Sequence, residues 1–243
     1  HLSIRRQRQM CIRDSQNPET MAKLWVNESQ RVFYDRLINN EDKLWFTKLI
    51  IELLNRCFRI NIEHDTIFVK DKIMFGDLLK LDAPIKLYEE IRDKNKMFKV
   101  LNGMLDDYNM SNSNKMNLVF FEDAIEHILR ISRSLKQPRG NIMLIGVGGS
   151  GKQSLTKLAS HMREIQFKQI EITKNFGPSQ FKDFMKELMF TTGIDGKPIC
   201  FLMTDTQIIS ETFIEDINNL LNTGEIPNLW LPEDKDLSLI HIS

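Results

Sequence analysis

The sequence has few cysteines, no long apolar run and no excess of charge of either sign. Three cysteines in 243 residues are too few for a disulfide framework and indicate a reducing compartment. No stretch reaches the roughly 18 to 20 consecutive apolar residues that a membrane-spanning helix requires. Basic and acidic residues each number 33, a balance that argues against a nucleic-acid-binding surface. We therefore expect neither a membrane nor a nucleic acid as partner.

The two ends of the chain differ from the rest. Residues 1–15 hold four arginines and one aspartate without helical or strand periodicity, and no apolar segment follows that would make them a secretory signal. The segment from Arg5 to Ser15 matches the translation of a transposon-type sequencing adapter. Residues 237–243 resemble the reverse complement of the same element. We expect both ends to be adapter-derived tails, and residues 16–236 to be an internal piece of a longer protein.

Apolar periodicity predicts a helical first part followed by a connector. In residues 16–60 apolar side chains recur at helical spacing, with a polar break at residues 39–42. Residues 61–117 combine a short apolar run, a charged helix at about residues 87–105 and a final stretch rich in asparagine and serine. That last stretch, residues 106–117, has no period and is predicted to be a loop.

From residue 118 onward the pattern alternates between helices and strands. A helix is expected before the turn at Pro138, because the residue preceding a proline disfavours the α conformation. Three strands and three helices are then predicted, the strands at residues 142–145, 167–172 and 199–203 and the helices at residues 153–162, 179–190 and 211–221. This alternation predicts an α/β fold with a mostly parallel, doubly wound sheet.

A glycine-rich loop lies between the first predicted strand and its helix. Its sequence, GVGGSGK, satisfies the G-x-x-x-x-G-K pattern of a P-loop. Glycines permit positive φ, so consecutive N–H groups can face one concavity, and the following helix N-terminus attracts phosphate. We therefore expect nucleotide binding, rather than a plain glycine turn, at Gly146, Val147, Gly148, Gly149, Ser150, Gly151, Lys152, Gln153 and Ser154.

Two positions depart from the pattern of a strongly hydrolysing site. The residue after the P-loop lysine is normally Ser or Thr, whose hydroxyl coordinates Mg²⁺, whereas here it is Gln153. The strand at residues 199–203 leads to Thr204, Asp205 and Thr206, where a metal-side aspartate and a catalytic glutamate are expected. Asp205 takes one of these two slots, depending on the register, and a threonine takes the other. We expect Gln153 and Asp205 to be the Mg²⁺ ligands, and nucleotide binding to survive these changes more readily than metal-assisted hydrolysis, which is then slow or absent.

Several runs of residues together resemble one family. GVGGSGKQSLTKLA from Gly146, FEDAIEH from Phe121 and INNLLNTGEIPNL from Ile217 resemble the fourth AAA+ module of a dynein heavy chain of the axonemal branch. Residues 21–58 resemble the helical lid of the third module. The resemblance implies a lid at residues 16–60, a connector at 61–117 and the N-terminal part of a P-loop domain at 118–236.

The resemblance also implies a role in an ATP-driven, minus-end-directed microtubule motor of cilia or flagella. It implies ATP or ADP at the P-loop, regulation more than hydrolysis at this module, and Asp205 as the nearest equivalent of a Walker B acid. The partners that it implies are neighbouring AAA+ modules of the same chain, microtubules through other parts of the parent, and dynein intermediate and light chains. The implied location is cytoplasmic and cytoskeletal, in the axoneme.

Two alternatives follow from the residues themselves. A standalone P-loop ATPase or kinase unrelated to motility satisfies the glycine loop, although the acceptor pocket and lid arginines of a kinase are not evident. Arg31 resembles the sensor arginine of the third-module lid, but an ion pair with Asp35, four residues further along a helix, explains it equally well.

Overall fold

The computed structural model describes residues 18–59, 73–79 and 86–230. Contacts within the chain divide it into two compact units, the first extending to Arg133 and the second beginning at Ser134. Both predicted adapter-derived tails lie outside the described residues, as does the apolar run of the connector. In the segments that the structure describes, no helix is both long and apolar enough to span a bilayer.

Unit 1 is mainly helical. Its elements are α1 (Pro18–Val32), a 3-10 turn (Tyr34–Arg36), α2 (Asn40–Leu53) with a π-helical turn (Leu54–Phe58), β1 (Phe75–Gly76), β2 (Glu89–Glu90), α3 (Lys94–Ser111) and α4 (Glu122–Lys136). The two strands pair antiparallel. The helices predicted within residues 16–60 are confirmed, but the break between them ends at Asn39. Glu41 and Asp42 belong to the first turn of α2, where the helix dipole favours acidic side chains.

The core between α1 and α2 is built from side chains four residues apart. Ala22 and Val26 of α1 are fully buried and pack with Phe46, Ile50 and Leu54 of α2 and the turn after it. Spacing of this kind places apolar groups on one stripe of each helix. The two stripes therefore face each other and hold the helical pair together.

The charged helix of the connector differs from the prediction at both ends. It begins only at Lys94, where the Asp93 carboxylate accepts a hydrogen bond from the Lys96 N–H at 3.0 Å and so caps the helix. It continues to Ser111, so the loop predicted at residues 106–117 is wrong over its first half. The reason is tertiary packing, because Leu101 and Leu105 are both buried. Their burial stabilises the helical turns that follow, although the polar sequence there has no helical period.

Two groups of charged side chains join α1 to α4. Glu28 accepts hydrogen bonds from the Arg133 guanidinium, with the Nε atom at 3.2 Å, and from the Tyr88 hydroxyl at 3.3 Å. Burial, followed by the nearby Glu28 charge, raises the pKa of Tyr88 well above its usual value. The Tyr88 hydroxyl therefore stays protonated and donates its hydrogen bond to Glu28.

The second group centres on Arg31. Its Nε atom lies 2.9 Å from Asp35 Oδ2, which confirms the ion pair predicted at this spacing, and its Nη1 atom lies 3.5 Å from Glu126 Oε1 of α4. Arg130 of α4 contacts the same two carboxylates. Burial, followed by the charge of Arg130, lowers the pKa of Arg31. The guanidinium groups of Arg31 and Arg130 and the carboxylates of Asp35 and Glu126 thus form one ionic network, which links α4 to α1 and the 3-10 turn after it.

Unit 2 is a mixed α/β structure with a small parallel sheet. Its elements are α5 (Lys152–Met162), β3 (Gln166–Gln169), α6 (Pro178–Gly193), β4 (Ile199–Leu202), a 3-10 turn (Asp205–Gln207) and α7 (Glu211–Thr223). The strands pair in parallel, with Gln166 opposite Ile199 and Gln169 opposite Leu202. The last two predicted strands and the three predicted helices are confirmed, with boundaries that differ by at most three residues.

The strand predicted at residues 142–145 is wrong. This segment is not part of a sheet, and Met143 and Ile145 are 84% and 85% exposed. A strand requires a hydrogen-bonded neighbour, and in the described part of unit 2 the strands β3 and β4 pair only with each other. Apolar sequence alone therefore does not produce a strand here.

Aromatic stacking forms the centre of the unit 2 core. Phe181 of α6 and Phe213 of α7 are fully buried and stack with ring centroids 4.3 Å apart, close enough for a favourable offset contact. Ile170, which follows β3, and Met185 pack in the same cluster. The core thus lies between the sheet and the helices α6 and α7, and it holds the carboxyl ends of both strands in place.

We expect Glu28→Gln to lower the free energy of unfolding of unit 1 by about 2 kcal/mol, because the variant weakens hydrogen bonds to a charged partner. Urea denaturation of the chain measures this change. The matched control is Glu122→Gln, which removes the more exposed pair that Lys94 forms with Glu122 at 3.0 Å and should cost less than about 0.5 kcal/mol. Equal losses in the two variants would contradict a special role of Glu28.

Candidate nucleotide-binding site

The glycine loop before α5 has the backbone that its sequence predicts. Gly149 and Gly151 have φ of +75° and +80°, a region that side-chain-bearing residues rarely adopt. A Cβ atom built at Gly148, Gly149 or Gly151 meets no other atom within 4 Å. The loop is therefore turned by glycine conformation rather than by crowding, and open space lies beside it.

Lys152 is folded back onto this loop. Its ammonium donates hydrogen bonds to the carbonyl oxygens of Gly146 at 2.8 Å and Val147 at 2.7 Å and to Ser150 Oγ at 3.1 Å. A lysine ammonium has three donors, and all three are used within the loop. The charge of Lys152 is thereby held at the mouth of the loop, next to the first turn of α5.

Helix α5 is firmly anchored behind the loop. Its inner face is buried through apolar side chains such as Leu158 and Ala159. Thr156 donates a hydrogen bond to the Lys152 carbonyl and Ser160 donates to the Thr156 carbonyl, both at 2.8 Å. Gln153 is exposed at the start of the helix, and its neighbour Ser154 is half-buried. Both side chains therefore lie beside the N–H groups that the first helical turn leaves unpaired.

The acidic segment follows β4, as the sequence predicts. Asp205 begins the 3-10 turn and is exposed, and within the described part of the chain its carboxylate forms no hydrogen bond or ion pair. The hydroxyl oxygens of Thr204 and Thr206 lie 3.0 Å apart and hydrogen-bond to each other. Asp205 is thus a solvent-accessible carboxylate on a short turn at the carboxyl end of the sheet.

Gln207 is a residue of this region that the sequence patterns did not single out. It is 6% exposed. Its Oε1 atom accepts the Thr204 N–H at 2.8 Å, and its Nε2 group donates to the Ile170 carbonyl. In the sequence, Gln207 is distinguished only as a polar residue five positions after the apolar strand β4, and its burial is seen only in the structure.

The described residues offer no preformed metal cage. Nowhere in them do three or more His, Cys, Asp or Glu side chains form a group that could hold a metal ion. Cys200 on β4 is buried as a free thiol, and burial raises its pKa. Since Mg²⁺ commonly binds through one or two carboxylates together with substrate phosphates, the donors near the loop suit a metal that arrives with a nucleotide.

Comparison with known proteins agrees with this geometry. A family model described as the P-loop containing dynein motor region D4 matches residues 116–242. The chain is 45% identical over 217 residues to dynein axonemal heavy chain 1 of Homo sapiens, and 46% identical over 210 residues to dynein axonemal heavy chain 6 of Homo sapiens. These alignments cover 89% and 86% of the chain. The chain belongs to the axonemal dynein heavy chain family.

Another relative, dynein axonemal heavy chain 3 of Mus musculus, is 41% identical over 235 residues, or 93% of the chain. The chain spans only 5% to 6% of the length of these three relatives. It therefore represents the P-loop AAA region of a dynein motor, with the sequence that immediately precedes it.

The family match and the compact units divide the chain at different places. The D4 match begins at residue 116, upstream of α4, whereas the first compact unit continues to Arg133. The whole of α4 therefore lies within the D4 match, but its residues up to Arg133 belong to the compact unit of the helices that precede that match. The ion pairs of Glu126 with Arg31 and of Arg133 with Glu28 are among the contacts between α4 and α1.

We expect Gly151→Ala to destabilise unit 2 by about 1 kcal/mol, because alanine is strained at a left-handed φ. Urea unfolding followed by circular dichroism measures the loss. Gly148→Ala is the matched control, since this glycine has equal open space but no positive φ, and its effect should stay within about 0.5 kcal/mol. A larger loss for Gly148→Ala than for Gly151→Ala would contradict the loop conformation.

Proposed function

We propose that the loop from Gly146 to Lys152 binds the phosphates of ATP or ADP within the motor ring of an axonemal dynein. The observation that supports this most directly is Lys152, whose ammonium is held by loop carbonyls at 2.7 and 2.8 Å beside an open glycine turn. A phosphate oxygen carries more negative charge than a carbonyl oxygen, so a bound phosphate competes effectively for this ammonium. The first turn of α5 supplies further N–H donors.

The residues also fit a magnesium ion bound together with the nucleotide. Mg²⁺ prefers oxygen donors, and Gln153, Ser154 and Asp205 supply an amide oxygen, a hydroxyl and a carboxylate in this unit. When bound, the ion neutralises phosphate charge and aligns the terminal phosphate. The contribution of the chain is to hold these donors at the carboxyl end of the sheet and at the start of α5.

We infer that this module retains nucleotide and hydrolyses it slowly or not at all. In the segment after β4 Asp205 is the one acid, and it is flanked by two threonines whose hydroxyls hydrogen-bond to each other. Neutral hydroxyls neither hold a metal water shell nor polarise an attacking water as a carboxylate does. Binding depends on the loop and Lys152, which are complete, so occupancy and turnover are separable at this site.

The parent protein gives this site its context. By similarity to the axonemal dyneins we propose that residues 16–60 form the lid of the third module, residues 61–117 a connector, and residues 118–236 the start of the fourth. Within the whole ring we propose that β3 and β4 belong to a larger, doubly wound sheet. The continuous match over 89% of the chain favours a motor module over a standalone P-loop ATPase or kinase.

The whole protein's activity follows from the same similarity. We propose a minus-end-directed microtubule motor of the ciliary or flagellar axoneme, with neighbouring AAA+ modules, microtubules, and intermediate and light chains as its partners. In this ring the module regulates, through its nucleotide, a cycle whose hydrolysis takes place mainly elsewhere. Neither nucleic acid nor membrane is a partner in this proposal.

Lys152→Ala should weaken nucleotide binding at this module roughly tenfold or more, the equivalent of one charge-assisted hydrogen bond. To measure the affinity, the heavy chain with its other nucleotide sites disabled is titrated against a fluorescent ADP. Lys157→Ala on the same helix is the matched control, because the Lys157 ammonium lies over the Phe167 ring at 5.5 Å instead of in the loop. Unchanged affinity in the Lys152 variant contradicts nucleotide binding by this loop.

Single-turnover measurements distinguish a retaining site from a hydrolysing one. With the other sites disabled, the heavy chain should release phosphate from ATP bound here only slowly or not at all. Thr204→Asp or Thr206→Glu restores the missing acid in one of the two registers, so one of these variants should gain hydrolysis. Rapid product formation in the unaltered protein would contradict the regulatory role, and the variant that gains activity identifies the register of Asp205.

A further inference from the structure

We propose that Gln207 is a positioning residue, whose buried side-chain amide fixes the turn carrying Asp205 so that the carboxylate of Asp205 faces the Mg²⁺ of the bound nucleotide. The proposal deepens the proposed function and rests on it. It assigns a role to a residue that lies outside the P-loop and is not itself an acid.

The first step of the argument is the place where the sheet ends. The last paired residues of β3 and β4 are Gln169 and Leu202. One residue further along the first strand, the Ile170 carbonyl accepts a hydrogen bond from Gln207 Nε2, and two residues further along the second, the Thr204 N–H donates to Gln207 Oε1 at 2.8 Å. The Gln207 amide therefore continues the link between the two strands beyond the last backbone pair.

The second step is the closure of the turn. The Gln207 N–H donates to the Thr204 carbonyl at 3.0 Å, while its side chain accepts the Thr204 N–H. The Ile208 N–H donates to the Asp205 carbonyl at 3.1 Å. The backbone of Asp205 thus lies within a turn that hydrogen bonds of Gln207 close, and the residue itself is exposed.

The third step is that an amide side chain supplies both the acceptor for the Thr204 N–H and the donor for the Ile170 carbonyl. Gln207 is 6% exposed, and Ile170, to which it donates, is 3% exposed. At such a site a lost partner leaves a buried polar group unpaired, which is unfavourable. Glutamate lacks the donor, and methionine lacks both donor and acceptor at nearly the same volume. The carboxylate of Asp205 forms no hydrogen bond or ion pair in the described segments, so its direction depends on the turn that Gln207 supports.

The test uses Gln207→Met, Asp205→Asn and the double variant in the full heavy chain with its other nucleotide sites disabled. Affinity for a fluorescent ADP is measured with Mg²⁺ and with a chelator. We expect Gln207→Met to reduce the tightening by Mg²⁺ roughly tenfold, as the loss of a supporting partner of a metal ligand does, and to leave affinity in chelator unchanged. The double variant should lose no more than Asp205→Asn alone, because both changes act through one carboxylate.

Gln180→Met is the matched control. Gln180 Oε1 also accepts a backbone N–H three residues earlier, that of Gly177 at 3.0 Å, but at the exposed start of α6. This variant should leave the effect of Mg²⁺ unchanged.

A readout without nucleotide is amide exchange at Thr204, which should accelerate in Gln207→Met. Gln207→Asn, with the amide retained on a shorter arm, should show the same changes to a smaller degree and serves if the methionine variant does not fold.

Three results overturn the proposal. Additive losses in the double variant would show that Gln207 and Asp205 act separately. Equal losses with Mg²⁺ and with chelator would show a general structural role for Gln207. An Mg²⁺ effect that survives Asp205→Asn would remove Asp205 from the metal. Failure of the unaltered protein to bind ADP at all, in contrast, overturns the proposed function itself, so the two failures are distinguishable.

Discussion

The parallel pairing of β3 with β4 is the constraint on which the candidate site depends. Parallel strands end at the same edge of a sheet, so the register that places Gln169 opposite Leu202 also brings Ile170 and Thr204 within reach of one side chain. The stacked rings of α6 and α7 cover the sheet on the core side. Because each strand has only four paired residues, the side-chain link made by Gln207 extends a short ladder at the end that carries Asp205.

Charged and apolar contacts both tie α4 to the elements that precede it, since its inner face buries Ile125, Ile128 and Ile131. Its sequence lies within the D4 match, yet Glu126, Arg130 and Arg133 pair with carboxylates and a guanidinium of α1 and the turn that follows it. Partly buried pairs of this kind are costly to break singly, because each leaves a charge without its partner. The helix that leads toward the P-loop is thus tied to the helices that precede it.

The sequence predicts those features that depend on local chemistry. A glycine loop, its lysine and the strand before Asp205 follow from residue type and spacing alone, and the ion pair of Arg31 with Asp35 follows from helical geometry. The features that it predicts wrongly depend on neighbours. Residues 142–145 have the composition of a strand without a paired neighbour, and α3 extends into polar sequence because its buried face is packed. The role of Gln207 depends on Ile170, 37 residues away, and no local pattern contains it.

Phosphate binding depends on residues that are close in sequence, whereas hydrolysis depends on residues that are distant in sequence. Phosphate recognition needs a glycine turn, a lysine and a helix N-terminus, all of which lie within one short segment and are complete here. Hydrolysis needs carboxylates brought to the phosphate from a different strand, and there threonines flank the single Asp205. Substitution at the second strand can therefore remove turnover without disturbing the loop. In the proposed function, a site changed in this way holds its nucleotide for as long as binding allows, and this persistence suits a regulatory module.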